Sequence, residues 1–253
     1  MKDYLDFSGK TAIVTGGRRG IGRAIAIAFA ERGAKVAVIS KSQDGAAILE
    51  DLAAAGTPGV YLPCDLELPE ARQGIVDVAV EKSGGRLDIL VNNAGLQFGE
   101  TIETTTPEHW KTSEELMLNA PFELSQQAIP YMKERGGKII MISSICSVRE
   151  GGWTFGYGVM KTGLASMARC MCQTLARYNI NVNVIGPGII RTDLTTRQGC
   201  FDEANYARII QKYPARRLGE PEEIASVALF LASEMSSFVN GQQLFVDGGF
   251  TAQ

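Results

Sequence analysis

Lys10–Gly33 reads KTAIVTGGRRGIGRAIAIAFAERG. Lys10 to Thr15 is a short β-rich run, suited to a buried strand. It breaks into Gly16-Gly17-Arg18-Arg19-Gly20-Ile21-Gly22, and an alanine- and isoleucine-rich helix follows to about Arg32, with Gly33 placed to cap it. Strand, glycine turn and helix are the setting in which a backbone can wrap a pyrophosphate. The glycines permit the turn and a close approach, while the helix N-terminus offers unpaired N–H groups and the positive end of its dipole. The spacing is G-x-x-x-G-x-G, not the commoner G-x-G-x-x-G. Alone such a turn is weak support for a nucleotide site, so the rest of the chain has to supply the context.

Working outward, Lys35–Ser40 (KVAVIS) reads as a second strand, followed by a helix through Leu52 and a strand Val60–Cys64. A helix from Pro69 to Ser83 leads to Asp88–Val91, the fourth strand, which closes in Asn92-Asn93-Ala94-Gly95. Further strands are expected at Lys138–Ile142, Val182–Ile185 and Leu244–Val246, with helices from about Phe155 to 178 and over Pro221–Ala232. Strands alternating with helices predict a parallel sheet covered on both faces, joined by right-handed crossovers. Ligands on such a sheet bind beyond the carboxyl ends of the strands. That edge collects Gly16–Gly22, Ser40-Lys41, Asp65, Asn93, Ser144 and Pro187-Gly188. With no linker, repeat or low-complexity stretch, residues 1–253 read as one domain.

Composition narrows the function. The 253 residues carry a formal charge of −3 and a hydrophobic fraction of 45%, with a pI near 5.4. Nothing there favours nucleic acid or an anionic membrane as partner. No apolar run reaches transmembrane length and MKDYLDFSGK lacks a signal-peptide core, so a cytoplasmic protein is expected. The five cysteines (Cys64, Cys146, Cys170, Cys172 and Cys200) are odd in number and lack C-x-x-C spacing, which argues against a disulfide framework or zinc. His109 is the sole histidine. Metal catalysis and a Ser-His-Asp triad therefore lack raw material, and His109 in Pro107-Glu108-His109-Trp110 reads as a structural residue at a helix start.

An NAD site usually places a carboxylate about twenty residues past the glycine loop, on the adenosine ribose. Here that place holds Ser40-Lys41-Ser42, and Lys41 with the loop arginines, Arg19 above all, could meet a 2′-phosphate. NADP(H) is thus the expected cofactor in preference to NAD. Ser143–Lys161 (SSICSVREGGWTFGYGVMK) contains the residues suited to acid–base work. On a helix, Tyr157 and Lys161 share one face a turn apart, and Ser144 lies where a strand would deliver its hydroxyl to the same pocket. An ammonium beside the phenol would draw its pKa below the usual value of about 10. Y-x-x-x-K alone is far more often an ordinary surface tyrosine with a helical neighbour, so the constellation gains meaning only if the chain also builds a site that needs acid–base help.

Thr15-Gly16-x-x-x-Gly20-x-Gly22, Asn92-Asn93-Ala94-Gly95, Ser144, Tyr157-x-x-x-Lys161 and Pro187-Gly188-x-x-x-Thr192 nonetheless occur in order. So do Arg217-x-Gly219-x-Pro221-Glu222-Glu223 and the ending Asn240-Gly241…Val246-Asp247-Gly248-Gly249. With these motifs the chain resembles the short-chain dehydrogenase/reductase family over nearly its whole length. The resemblance implies a Rossmann-type fold with a seven-stranded parallel sheet and helices on both faces, assembled as a homotetramer. It implies hydride transfer between NADP(H) and a ketone or secondary alcohol, with Ser144, Tyr157 and Lys161 catalytic. Gly16, Arg18, Arg19, Gly20, Ile21, Gly22, Ser40 and Lys41 would form one side of the cofactor site. Asp65, Leu66 and Asn93 would flank adenine, beside Ala94 and Gly95. Tyr157 and Lys161 would hold the nicotinamide ribose, with Pro187, Gly188, Ile190 and Thr192 toward the carboxamide.

Pocket walls in this family come from three segments, here Leu96-Gln97-Phe98, Arg149–Phe155 and Asp193 to about Tyr213 (the substrate loop, 193–215). Gln97, Cys146 and Trp153 are the candidate substrate contacts, with Glu150, Phe155, Arg197 and Phe201 in the same segments. Sugar-acid, 3-oxoacyl and steroid-like carbonyls remain open, the sugar-acid and 3-oxoacyl reductases being the nearest in general pattern. One position departs from the family. Aligning Trp110, Ala120-Pro121-Phe122 and Pro130-x-Met132 puts Met117, not Asn119, where relatives place an asparagine that completes a water-mediated proton relay. Asn119 falls about 200° further round the helix. That replacement motivates a second reading, a catalytically weakened NADP(H)-binding scaffold or redox sensor; a Ser-Lys hydrolase would leave the glycine loop and N-N-A-G without purpose.

Overall fold

The structure is a computed structural model and describes residues 3–149, 151–197 and 202–253. Its centre is a seven-stranded, wholly parallel sheet. In chain order the strands are β1 (Thr11–Thr15), β2 (Lys35–Ser40), β3 (Val60–Pro63), β4 (Ile89–Asn92), β5 (Gly137–Ile142), β6 (Ile180–Pro187) and β7 (Gln243–Val246). Across the sheet they stand β3-β2-β1-β4-β5-β6-β7, so the order reverses between β1 and β4. Val14 of β1 is level with Val38 of β2 and Val91 of β4, which brings the carboxyl ends of the central strands into one row.

Successive side chains on a strand face opposite ways, and here both faces are dry. Ala12, Val14, Val38, Val91 and Ile140 face α1 (Gly20–Glu31) and α10 (Pro221–Ala232), where Ile25, Phe29, Ile224 and Leu229 meet them. Ile13, Ile39, Leu90, Ile139 and Val182 face the other way, onto Leu124 of α6 (Ala120–Met132) and Leu164 of α7 (Phe155–Leu175). The near-continuous apolar strands of the sequence follow from this double burial. The remaining helices are α2 (Ala46–Ala54), α3 (Pro69–Arg72), α4 (Ile75–Lys82), α5 (Pro107–Glu114), α8 (Asp193–Arg197) and α9 (Glu203–Ile210). None in the described residues is long and apolar enough to cross a membrane.

Two helices differ from expectation, each for a local reason. The helix expected over Pro69–Ser83 is split into α3 and α4 at Gly74, whose φ of +70° lies in the left-handed region. Arg72, just before the break, is only 1% exposed. Its guanidinium donates to Glu123 (2.8 and 2.7 Å), to the Glu115 carboxylate (2.8 Å) and to the Leu66 carbonyl (2.9 Å). Between α5 and α6 the chain widens into a π turn over Glu115–Asn119. Pro121 follows immediately, and its ring nitrogen offers no N–H to the carbonyl of Met117, which favours the wider turn. Smaller differences are in strand ends: β6 begins at Ile180 and runs to Pro187, and Cys64 lies just beyond β3.

Candidate active site

A single hydroxyl holds the glycine turn against the end of β4. Thr15 Oγ1 accepts from the Asn93 and Ala94 backbone N–H groups (2.9 and 3.0 Å), and Asn93 Nδ2 donates to the Thr15 and Gly16 carbonyls (2.8 and 3.3 Å). At Gly22 a Cβ would fall 2.4 Å from that Asn93 nitrogen and 2.5 Å from the Gly16 carbonyl oxygen, so nothing larger than glycine fits. Gly16 and Gly20 have φ of +63° and +56°. Asn93 therefore spends its amide on the turn itself.

The turn opens on a cavity of about 690 Å³ at the carboxyl end of the sheet. Every cofactor residue anticipated from the sequence lines it: Gly16, Arg18, Arg19, Gly20, Ile21, Gly22, Ser40, Lys41, Asp65, Leu66, Asn93, Ala94, Gly95, Pro187, Gly188, Ile190 and Thr192, together with Ser144, Tyr157 and Lys161. The glycine cradle, and the close wall at Gly95, where a Cβ would come 3.3 Å from Lys161 Nζ, suit a dinucleotide lying along the strand ends. No group of three or more His, Cys, Asp or Glu side chains in the described residues could hold a metal ion.

At the outer end, Lys41 does not stand free. Its ammonium pairs with Asp65 (2.9 Å) and Glu67 (3.1 Å), and those contacts raise its pKa. Arg18 lies near enough to Tyr61 for its charge to draw the phenol's pKa down against the rise from burial, and the Tyr61 hydroxyl donates to the Ser42 carbonyl (2.7 Å). Among the described residues neither Arg18 nor Arg19 pairs with a carboxylate. Glu67 on the cavity wall had no distinguishing signal in the sequence.

At the inner end, β5 delivers Ser143 and Ser144. Ser143 Oγ donates to the Lys161 carbonyl (2.8 Å), locking α7 to the strand end, and Ser144 Oγ accepts the Cys146 N–H (3.1 Å). Lys161 is 3% exposed, and its ammonium donates to the Ile142 carbonyl (2.7 Å) while lying 5.4 Å from the centre of the Tyr157 ring. The phenol faces the Ser144 hydroxyl. Its titration runs opposite to expectation: burial pushes the phenol above 10, Cys146 adds to the rise, and the Ser144 hydroxyl opposes it. Lys161 lies over the ring, 5.4 Å from its centre, and desolvation is the dominant influence on the phenol. The same burial lowers the Lys161 ammonium from 10.5 to about 8.

Met117 is completely buried, and its sulfur comes within 3.6 Å of the place a Gly95 Cβ would take, beside Lys161. Asn119 instead engages the Glu115 carboxylate. Of the candidate substrate contacts, Gln97 and Cys146 line the cavity. Trp153 does not: it is 72% exposed and absent from the wall, because the turn before α7 carries it outward. Glu150, Cys200 and Phe201 lie outside the described residues, as does the Arg197 side chain. Phe250 also lines the cavity, and no local motif singled it out; only the fold returns the chain end to this place. His109 is structural, stacked on Phe98 at 3.9 Å and paired through Nδ1 with Glu100, with its backbone N–H capped by Thr106 (3.1 Å).

Residues 16–251 match the sequence family described as enoyl-(acyl carrier protein) reductase. The chain is 36% identical over 246 residues to the 3-oxoacyl-(acyl-carrier-protein) reductase FabG of Escherichia coli, covering 97% of this chain and 98% of that one. It is 39% identical over 250 residues to the L-rhamnose-1-dehydrogenase of Scheffersomyces stipitis, covering 96% of each. Among solved structures, a candidate 2-deoxy-D-gluconate 3-dehydrogenase from Agrobacterium tumefaciens with bound NADP superposes with a TM-score of 0.91 at 31% identity, over the full length of both.

The depressed Lys161 value has a consequence for stability. From about pH 8 to 10.5 the unfolded chain holds this proton and the folded chain sheds it, so the group's contribution to stability rises with pH across that window. Below pH 8 the full penalty applies, about 3 kcal/mol. Relative to wild type, Lys161→Met is expected to be favoured more at pH 7 than at pH 10.5 by up to that amount. Denaturant melts of both proteins at the two pH values check it, and a stability difference unchanged with pH would contradict it.

Proposed function

This chain belongs to the short-chain dehydrogenase/reductase family, and we propose that it interconverts a small-molecule ketone and secondary alcohol with NADP(H), using Tyr157 as general acid and base. The coarser part of that statement, an NAD(P)-dependent oxidoreductase acting on carbonyl and alcohol groups, comes with the family. The observation that carries the finer part is the meeting of Ser144, Tyr157 and Lys161 at one end of the cavity that the glycine turn opens. When bound, the nicotinamide ring supplies or takes up the hydride. Ser144 holds the reacting oxygen by a hydrogen bond. Tyr157, its phenol kept protonated by burial, gives that oxygen a proton during reduction and takes one back during oxidation. Lys161, fixed by the Ile142 carbonyl, holds the ribose and places a positive charge 5.4 Å from the centre of the ring on which negative charge develops. Pro187, Gly188, Ile190 and Thr192 would line the carboxamide side. Residues 1–253 act as one cofactor-binding domain with 193–215 as its substrate loop, and the working assembly is a homotetramer.

Preference for NADP(H) over NAD is part of the proposal. Ser40 supplies no carboxylate to repel a 2′-phosphate, while Arg18 and Arg19 line the outer cavity. Lys41 contributes less than its sequence position suggests, since Asp65 and Glu67 already offset its charge. A second reading, weakened catalysis, is favoured by one contact. The Met117 sulfur, like Lys161 Nζ, borders Gly95, where an amide could order water, and a thioether accepts hydrogen bonds only weakly.

Tyr157→Phe is expected to abolish turnover while leaving NADPH affinity nearly intact; single-turnover assays with fluorescence titration of NADPH test this, and an active variant would sink the mechanism. Arg18→Ala should weaken NADPH binding about tenfold to a hundredfold, the loss of a charge-assisted contact of roughly 1.5–3 kcal/mol, and leave NADH binding unchanged. Lys41→Asp should also erode the preference; NADH bound as tightly as NADPH by the wild type would contradict the cofactor assignment. Met117→Asn is expected to raise kcat at neutral pH without altering NADPH affinity, with Asn119→Ala close to silent. Loss of activity in Asn119→Ala with no gain in Met117→Asn would make Asn119 the relay residue.

A further inference from the structure

Arg149 belongs to the wall of the inner cavity and no role has yet fallen to it. Its backbone N–H donates to the Ile145 carbonyl (2.9 Å), which ties it to the turn that starts at Ser144. Its guanidinium carbon lies 5.6 Å from the centre of the Phe250 ring, and Nη1 donates to the main-chain oxygens of Phe250 (3.2 Å) and Gln253 (2.8 Å). The chain end that receives it is itself pinned. Phe250 packs at a tilt of 31° against Tyr213 with ring centres 4.9 Å apart, and Asp247 accepts from the Thr251 N–H and hydroxyl (2.8 and 2.6 Å). One nitrogen and one face of the guanidinium are therefore spent on holding it still. The other edge, Nε and Nη2, has no acceptor among the described residues.

Charge along the cavity points the same way. The carboxylates of Asp65 and Glu67 are matched to Lys41 at the outer end. Lys161 and Arg149 are the cations of the wall that includes Ser144 and Tyr157, and Asp193, the remaining carboxylate of the described lining, has a partner of its own. A planar guanidinium, exposed at the cavity rim but held by two hydrogen bonds and a cation–π contact, with two N–H groups free on one edge, matches a carboxylate in bidentate fashion. We infer that Arg149, braced by the Phe250–Ala252 turn, is the anchor for a substrate carboxylate distant from the reacting carbon. The substrate is then a small hydroxy or keto acid rather than a neutral sugar or ketone. This rests on the oxidoreductase reading of the same cavity.

The test is calorimetric titration of the full chain loaded with NADPH, which cannot reduce either probe. The probes are D-gluconate and D-gluconamide, alike in skeleton and differing in charge. Gluconate is expected to bind the wild type about tenfold tighter or more. Arg149→Gln should erase that gap and Arg149→Lys keep part of it, with NADPH affinity unchanged in both. Equal binding of the two probes, a gap that survives in Arg149→Gln, or no gluconate binding at millimolar concentration would each overturn the subsite alone. Failure of the wild-type chain to bind NADPH would overturn the oxidoreductase reading, and this one with it.

Discussion

The hydroxyl of Thr15 joins the two halves of the site. It accepts two backbone N–H groups from the Asn93-Ala94 turn, and Asn93 answers with its amide to the Thr15 and Gly16 carbonyls. These bonds close the point where the strand order reverses, between β1 and β4. Without them the glycine turn and the turn after β4 would each leave buried N–H and carbonyl groups to satisfy elsewhere. The glycine pattern then becomes a packing requirement as well as a ligand requirement, since Gly22 lies directly against the Asn93 amide.

Beyond that junction, the inner cavity is built around a charge the fold can barely accommodate. Lys161 donates to the Ile142 carbonyl and lies 5.4 Å from the centre of the Tyr157 ring. Burial lowers its pKa and raises that of Tyr157, so each side chain is pushed toward its neutral form. Such a pair is unfavourable for folding, and perturbed titratable pairs of this kind cluster at functional sites. The polar support is extensive by comparison. Gln243 donates to Ser147 (2.6 Å), Ser147 to the Ser144 carbonyl (2.7 Å), and Thr162 to the Ser147 carbonyl (3.0 Å), which fixes the turn after β5 against both β7 and α7.

Arg72 plays the corresponding part on the other flank. Fully buried, it binds Leu66 on the cavity wall, Glu115 at the start of the π turn and Glu123 on α6. The loop after β3 and the turn bearing Met117 are thereby held in a fixed relation. Its partners are partly exposed carboxylates, so the network is a positional device whose net contribution to stability is modest.

Much of this was legible in the chain. The strands announce themselves because both faces of a parallel sheet are dry, which leaves runs such as Lys138–Ile142 almost wholly apolar. Their alternation with helices specifies the sheet, and the glycines, Asn93, Ser144, Tyr157 and Lys161 could be placed at its carboxyl edge because motif position maps directly onto strand ends. The π turn over Glu115–Asn119, by contrast, was not legible, and it replaces the regular helical spacing expected between Met117 and Asn119. Tertiary structure alone decided what depends on the meeting of distant segments. It paired Lys41 with Asp65 and Glu67, reversed the expected direction of the Tyr157 titration, turned Trp153 outward and brought Phe250 back to Arg149. Electrostatics and burial depend on which atoms surround a group in space, and periodicity along the chain carries no record of that.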